Sequence, residues 1–294
     1  MSFVAQEIAS QPGCWSRAAG VLARHVAVLP RAGQRVAVVG CGTSWFIAQA
    51  YAALREVYGH GETDAFAASE TPRRRSYDLV VAITRSGTTT EVLELLGDLR
   101  GRMPTLAITA DRDTPVVGAA DEIVALDFAD ERSVVQTRFA TTALALLRAH
   151  MGEDLTGAVA DAEEVLVNPF PPGLVTAEQF TFLGTGWTCG LAQEAALKMR
   201  EAAGAWTEAY PAMEYRHGPI SICGPGRVTW MFGAAPPGLL EEVEATGGTF
   251  RSSGVDPMAE LVRVQRLAVA VAESRGLDPD RPRHLSRSVI LDES

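Results

Sequence analysis

Gln34–Trp45 (QRVAVVGCGTSW) runs a short aliphatic segment into a glycine-rich turn and two hydroxyl residues. A continuous apolar run that breaks into Gly-x-Gly reads as a buried strand delivering a loop to the start of a helix. The amphipathic stretch from Trp45 to Tyr58 supplies that helix. The pattern returns at Asp78–Thr84 (DLVVAIT), which enters Arg85-Ser86-Gly87-Thr88-Thr89-Thr90 and then the helical stretch EVLELLGDLR. Thr105–Thr109 (TLAIT) and Glu122–Leu126 (EIVAL) continue the strand series, and a helix is expected from about Val135 to His150. Apolar strands alternating with helices predict an α/β fold whose parallel sheet is covered on both faces.

A further helical stretch ends in a Pro/Gly break at Pro169–Gly173, after which the pattern starts again. Gln179–Leu183 (QFTFL) enters Gly184-Thr185-Gly186-Trp187-Thr188, and a helix follows from about Gly190 to Ala203. This parallel with VAVVGCGTSW predicts an internal duplication, with domains at 1–168 and 174–294. In the second copy Arg227–Phe232 leads into GAAPPGLLEE, where the first copy has its hydroxyl cluster. Only Thr249–Ser252 is a further strand candidate before the helix Met258–Arg275, so a shortened second domain without an anion loop is expected.

The 294 residues carry 26 basic and 36 acidic side chains, a net charge of −10. An acidic chain without a basic block is a poor partner for nucleic acid. No stretch approaches the roughly 20 apolar residues that span a bilayer, and the first residues lack a signal-peptide pattern, so no membrane role is expected. Four scattered cysteines without a C-x-x-C favour the reducing cytoplasm, and the five histidines form no metal spacing, so neither metal nor cofactor is expected. All the basic residues but Lys198 are arginine.

Ligands of open parallel sheets sit beyond the carboxyl ends of the strands. Thr43 and Ser44 lie there on one loop; Thr84, Ser86, Thr88, Thr89 and Thr90 lie on the other, with Arg85 adding a charge. Hydroxyls, backbone amides and two helix N-termini suit a phosphate monoester. The competing reading is that these residues are ordinary helix N-caps. The run GCGTSW lacks the G-x-G-x-x-G spacing, and no P-loop lysine is present, which disfavours nucleotides. Along Gln193–Pro219, Glu194, Lys198 and Glu201 share one helix face by their i,i+4 and i,i+3 spacing. They are either a solvated salt-bridge stripe or proton-transfer machinery, and His217, in a Gly-Pro loop, belongs with the second reading.

In order, CGTSW, TRSGTTTE, ERSVVQTRFATT, EAALKMREAAGAWTEAYPAMEYRHGPI and GLDPDRPRHLSRSVILDE resemble the double-SIS (sugar isomerase) proteins, above all the isomerase half of glucosamine-6-phosphate synthase. The chain also resembles the related sugar-phosphate deaminases and deglycases. The resemblance implies two tandem SIS domains, each a parallel sheet flanked by helices in a Rossmann-like three-layer sandwich. It implies phosphate binding by Thr43, Ser44, Thr84, Arg85, Ser86 and Thr89. Glu201 matches the base that moves the proton, Lys198 the lysine one turn before it, and His217 a ring-opening histidine that reaches across a homodimer. Val134, Gln136, Ser286 and Arg287 match positions that line or close over the sugar. Arg85 stands where the synthase has glutamine, as in deaminase-type members, and Arg287 where it has lysine. No glutaminase domain precedes the sugar domain, so the chain is not expected to be an amidotransferase by itself. The implied activity is deamination or deglycation of amino-substituted hexose 6-phosphates, coupled to aldose–ketose isomerisation. A plain phosphosugar isomerase and a non-catalytic phosphosugar sensor are the alternatives.

Overall fold

A computed structural model describes residues 2–291. Helices α1 (Phe3–Ala9) and α2 (Gln11–Val21) precede β1 (Val36–Gly40), α3 (Thr43–Val57), β2 (Thr63–Ala67) and β3 (Leu79–Thr84). Next come α4 (Thr90–Leu99), β4 (Thr105–Thr109), α5 (Val116–Ala119), β5 (Glu122–Ala125) and α6 (Arg138–His150). The remainder holds α7 (Thr156–Val167), β6 (Gln179–Gly184), α8 (Thr188–Ala203), β7 (Trp206–Pro211) and β8 (Arg227–Met231). It closes with α9 (Leu239–Ala245), β9 (Thr249–Arg251) and α10 (Pro257–Ser274).

The strands form two sheets, ordered β2-β1-β3-β4-β5 and β7-β6-β8-β9. Every strand pair in both is parallel. In the first sheet β1, β3 and β4 are buried along their whole length, as their unbroken aliphatic runs require. Ala37, Val39, Val80 and Ala82 pack with Val92, Leu95 and Leu96 of α4 in one core. Val39 pairs with Ala82, so the loops after Gly40 and Thr84 leave the sheet side by side. In the second sheet Leu183 and Met231 share a core with Leu239 and Val243 of α9.

Two strands lie in stretches the sequence reading left irregular. Both β2 and β7 are edge strands, half-buried, and they spell TDAFA and WTEAYP rather than aliphatic runs. A strand with one neighbour and one wet face carries a diluted hydrophobic signal.

Two compact units result, and they interleave along the chain. One comprises residues 13–132, 138–155 and the segment from 286 onward, around the five-stranded sheet. The other comprises the residues before Gly13, Ser133–Thr137 and Thr156–Leu285, around the four-stranded sheet. The expected division at Pro169–Gly173 therefore separates the sheets but not the units. Asp280 accepts hydrogen bonds from the amides of Phe3 and Val4 at 2.7 and 2.8 Å, tying α1 to the segment after α10. The Asp161 carboxylate accepts the Asp256 amide at 2.7 Å, joining α7 to the start of α10.

Candidate functional site

In the five-stranded unit, α3 begins directly after Gly42, whose φ of +53° is a left-handed conformation that favours glycine. Gly40 is needed for a second reason. A Cβ there would lie 2.7 Å from the backbone of Ser44, so the α3 N-terminus approaches the strand end only over a glycine. Gly184 repeats this arrangement before α8, where a Cβ would lie 2.4 Å from the Thr188 backbone. The duplicated Gly-x-Gly is thus a shared device for bringing a helix start close to a sheet.

The second loop folds on itself. Thr84 Oγ1 accepts the Gly87 amide at 3.3 Å, and Ser86 Oγ accepts the Thr88 amide at 3.3 Å. Neither Gly42 nor Thr89 caps its helix through a side chain, so Thr89 does not do at α4 what the N-cap reading expected. Thr43, Ser44, Thr84, Arg85 and Ser86 are all buried. The Cys41 thiol in the first loop is pushed up to about 11, first by burial and then by the nearby Glu91 carboxylate.

Arg85 is engaged within its own unit. Its guanidinium lies 3.7 Å from the buried Glu131 carboxylate and donates to the Arg287 carbonyl at 2.8 Å. Arg287 in turn donates to the Asp130 carboxylate at 2.5 Å and to the Glu131 carbonyl. The two arginines that set this sequence apart from the synthase pattern therefore meet around one acidic pair, and their charges are compensated there. Glu131 was missed by sequence reasoning, since a lone acid beside Arg132 carries no spacing signal. Ser286 is exposed and donates to the Ser288 carbonyl at 2.7 Å. Ser288 was also missed, and its hydroxyl sits among Ser86, Thr88 and Thr89.

In the four-stranded unit, α8 carries Glu194, Lys198 and Glu201. Lys198 is 1% exposed and the Glu194 side chain 0%, which overturns the solvated-stripe reading. The ammonium lies 3.5 Å from Glu194 and is in direct contact with Glu201. The Glu201 side chain is 19% exposed and opens onto a cavity of about 660 Å³. Arg200, Arg275, Arg281 and Arg283 also line that cavity. Burial lowers the Arg200 pKa, against the opposing pull of Glu201 and Glu194.

Val134 and Gln136 belong to the short segment Ser133–Thr137, which is pinned to α1. Ser133 donates through its hydroxyl to Glu7 and to the Val135 carbonyl, the latter at 2.8 Å. The Gln136 Nε2 is buried and has no hydrogen-bond partner among the described residues. His217 is exposed at the end of a 3-10 turn, before Gly218, and it is not on the wall of the Glu201 cavity. The structure thus joins Lys198 to Glu201 within one unit and leaves His217 apart from them. Among the described residues no cluster of His, Cys, Asp and Glu could hold a metal ion, and no helix is long and apolar enough to cross a membrane.

Residues 29–150 match the SIS domain family. The glutamine–fructose-6-phosphate aminotransferase (isomerizing) of Xanthomonas campestris is 28% identical over 317 residues, covering 87% of this chain and 52% of that protein. The chain spans about half the length of the curated relatives it matches. Among solved structures, glucosamine-6-phosphate deaminase from Thermotoga maritima superposes with a TM-score of 0.82 at 25% identity, covering 99% of this chain and 100% of that one. Tagatose-6-phosphate ketose/aldose isomerase from Escherichia coli shares the fold, with a TM-score of 0.80 at 18% identity over 100% of this chain and 97% of the other. Residues 29–150 thus resemble a SIS domain, and the chain as a whole is similar to about half of the aminotransferases and to the full length of the deaminase.

Proposed function

We propose that the protein converts an amino-substituted hexose 6-phosphate to a ketose 6-phosphate, with release of ammonia or an amine. The observation that carries this reading is the Lys198–Glu201 pair, a buried ammonium holding a carboxylate at the mouth of a cavity. The likeness to the Thermotoga deaminase over both full chains supports it.

The two hydroxyl loops hold the phosphate, with amides and helix N-termini meeting its charge. His217 assists ring opening, supplied in a homodimer by the second copy. Glu201 then removes the proton from C2 of the open-chain 2-amino aldose and returns it to C1. The product of that transfer is an imine at C2. Water adds to the imine and the amine departs, leaving the 2-ketose 6-phosphate. Lys198 fixes the position of the Glu201 carboxylate throughout. Val134 and Gln136 line the sugar, the latter offering its buried amide, and Ser286 and Arg287 close the site.

Ammonia release from glucosamine 6-phosphate and galactosamine 6-phosphate tests the proposal, with Glu201→Gln as the control. Turnover should fall by roughly 10²–10⁴-fold in the variant, since a positioned general base contributes about that much. Ammonia that persists in Glu201→Gln would remove the carboxylate from the mechanism. Isomerisation of fructose 6-phosphate without ammonia release from either amino sugar would favour a plain isomerase using the same base.

A further inference from the structure

We infer that Ser288 is a phosphate-binding residue, which adds a donor from segment 286–291 to the hydroxyl loops; this rests on the cradle being the phosphate site. The Ser288 Oγ accepts hydrogen bonds from Thr88 Oγ1 at 2.9 Å and Ser86 Oγ at 3.2 Å, and Thr89 Oγ1 is 3.4 Å away. A hydroxyl has two lone pairs and one proton. Thr88 Oγ1 also lies 3.1 Å from Ser86 Oγ, and either partner of the Thr89–Ser288 contact can donate, so Ser288 joins three loop hydroxyls in one cluster whose protons can be redirected to a ligand.

The residue is placed from both sides. On one side the Arg287 carbonyl accepts from Arg85, and the Arg287 guanidinium is held by Asp130 and the Glu131 carbonyl. On the other, the Val289 carbonyl accepts the Thr90 amide at 3.2 Å, and the Leu291 amide donates to Thr90 Oγ1 at 2.9 Å. Thr90 is the first residue of α4, so the segment is fastened to the helix start that would face an anion. A phosphate dianion accepts hydrogen bonds and donates none. Its arrival turns four hydroxyl protons toward one ligand, and hydroxyls reorient without moving the backbone.

Binding and docking of the segment then reinforce each other, and the coupling is reciprocal. Inorganic phosphate should tighten segment 286–291 as much as the docked segment tightens phosphate.

The test is isothermal titration of the full chain with inorganic phosphate, in wild type, Ser288→Ala and Ser288→Thr. A hydrogen bond to a charged group is strong enough that its loss should weaken binding about tenfold in Ser288→Ala. Ser288→Thr keeps the hydroxyl and should restore most of the affinity. In parallel, phosphate should slow tryptic cleavage after Arg287 in wild type, and much less in Ser288→Ala. Equal affinity in wild type and Ser288→Ala overturns the inference while leaving the cradle intact. Tighter binding by Ser288→Ala also overturns it, because Ser288 would then be occupying the place of the anion. Failure of the wild type itself to bind phosphate defeats the reading of the cradle, and this inference with it.

Discussion

Lys198 carries its charge at 1% exposure between two carboxylates of the same helix. Desolvating such a set is costly, and removing one member takes away a large part of the compensation that the buried charges share. Lys198→Met should therefore cost about 3–5 kcal/mol, read as a lowered urea midpoint at unchanged slope. Adding Glu194→Gln should recover part of that loss. A Lys198→Met protein as stable as wild type would mean that Glu194 is satisfied without the ammonium. Cys41 offers a second residue-scale expectation. Its thiol, raised to about 11 from a reference of 9, stays protonated at neutral pH. Alkylation by iodoacetamide should climb about tenfold per pH unit up to pH 11, because only the thiolate reacts. Glu91→Gln, which removes a negative neighbour, should shift that profile to lower pH. A rate that levels off near pH 9 would show that Cys41 feels neither burial nor Glu91. Residues of this kind were partly legible beforehand. The i,i+3 and i,i+4 spacing put Lys198 and both glutamates on one face, but spacing is silent on whether a face is wet or dry.

At the scale of elements, the loops after β1 and β3 were the readable part. Their strands are buried on both faces and so spell uninterrupted aliphatic runs, and glycines with hydroxyls mark where each run ends. The edge strands β2 and β7 were not readable, since a half-wet strand uses polar residues and even a proline. For segment 286–291 the resemblance marked Ser286 and Arg287, but its docking on the second loop was not readable: it rests on hydrogen bonds with residues about 200 positions earlier, which leave no periodicity. The close approach at Gly40 makes a prediction for the β1–α3 element. Gly40→Ala forces a Cβ against the Ser44 backbone, which cannot swing aside as a side chain would. The α3 N-terminus must retreat, at a cost of about 1–3 kcal/mol, and phosphate affinity should fall with it. Gly184→Ala makes the equivalent clash before α8, in the unit without the hydroxyl cluster. It should cost comparable stability and leave phosphate titration unchanged, which separates a damaged cradle from a generally weakened protein.

At the scale of the whole molecule, the exposed His217 carries the proposal that two copies share their sites. Mixed dimers test it. A Glu201→Gln chain and a His217→Asn chain, each inactive alone, should regain activity when exchanged. Random pairing makes half the dimers mixed, and each mixed dimer rebuilds one of two sites, so about one quarter of wild-type turnover is expected. No recovery after verified subunit exchange would place both groups in one chain or remove His217 from catalysis. The interleaved units add an expectation for fragments. A piece covering 174–294 lacks α7 and α1, both of which contact α10. It should fail to give a cooperative melt by itself.

The same interleaving sets an order of events at the ribosome. Strands β1 to β5 and α6 all lie before Leu155, so most of their unit can assemble while synthesis continues. The first helix cannot settle so early. The carboxylate that receives the amides of Phe3 and Val4 belongs to Asp280, 276 residues after Val4. At about 5–20 residues per second, α1 waits on the order of tens of seconds for that partner to be made. During that interval Val4 and Ile8, both buried in the finished protein, wait for the helix to be fastened. The segment that carries α1 is therefore the part most in need of a chaperone during synthesis, since it is made long before the carboxylate that receives it.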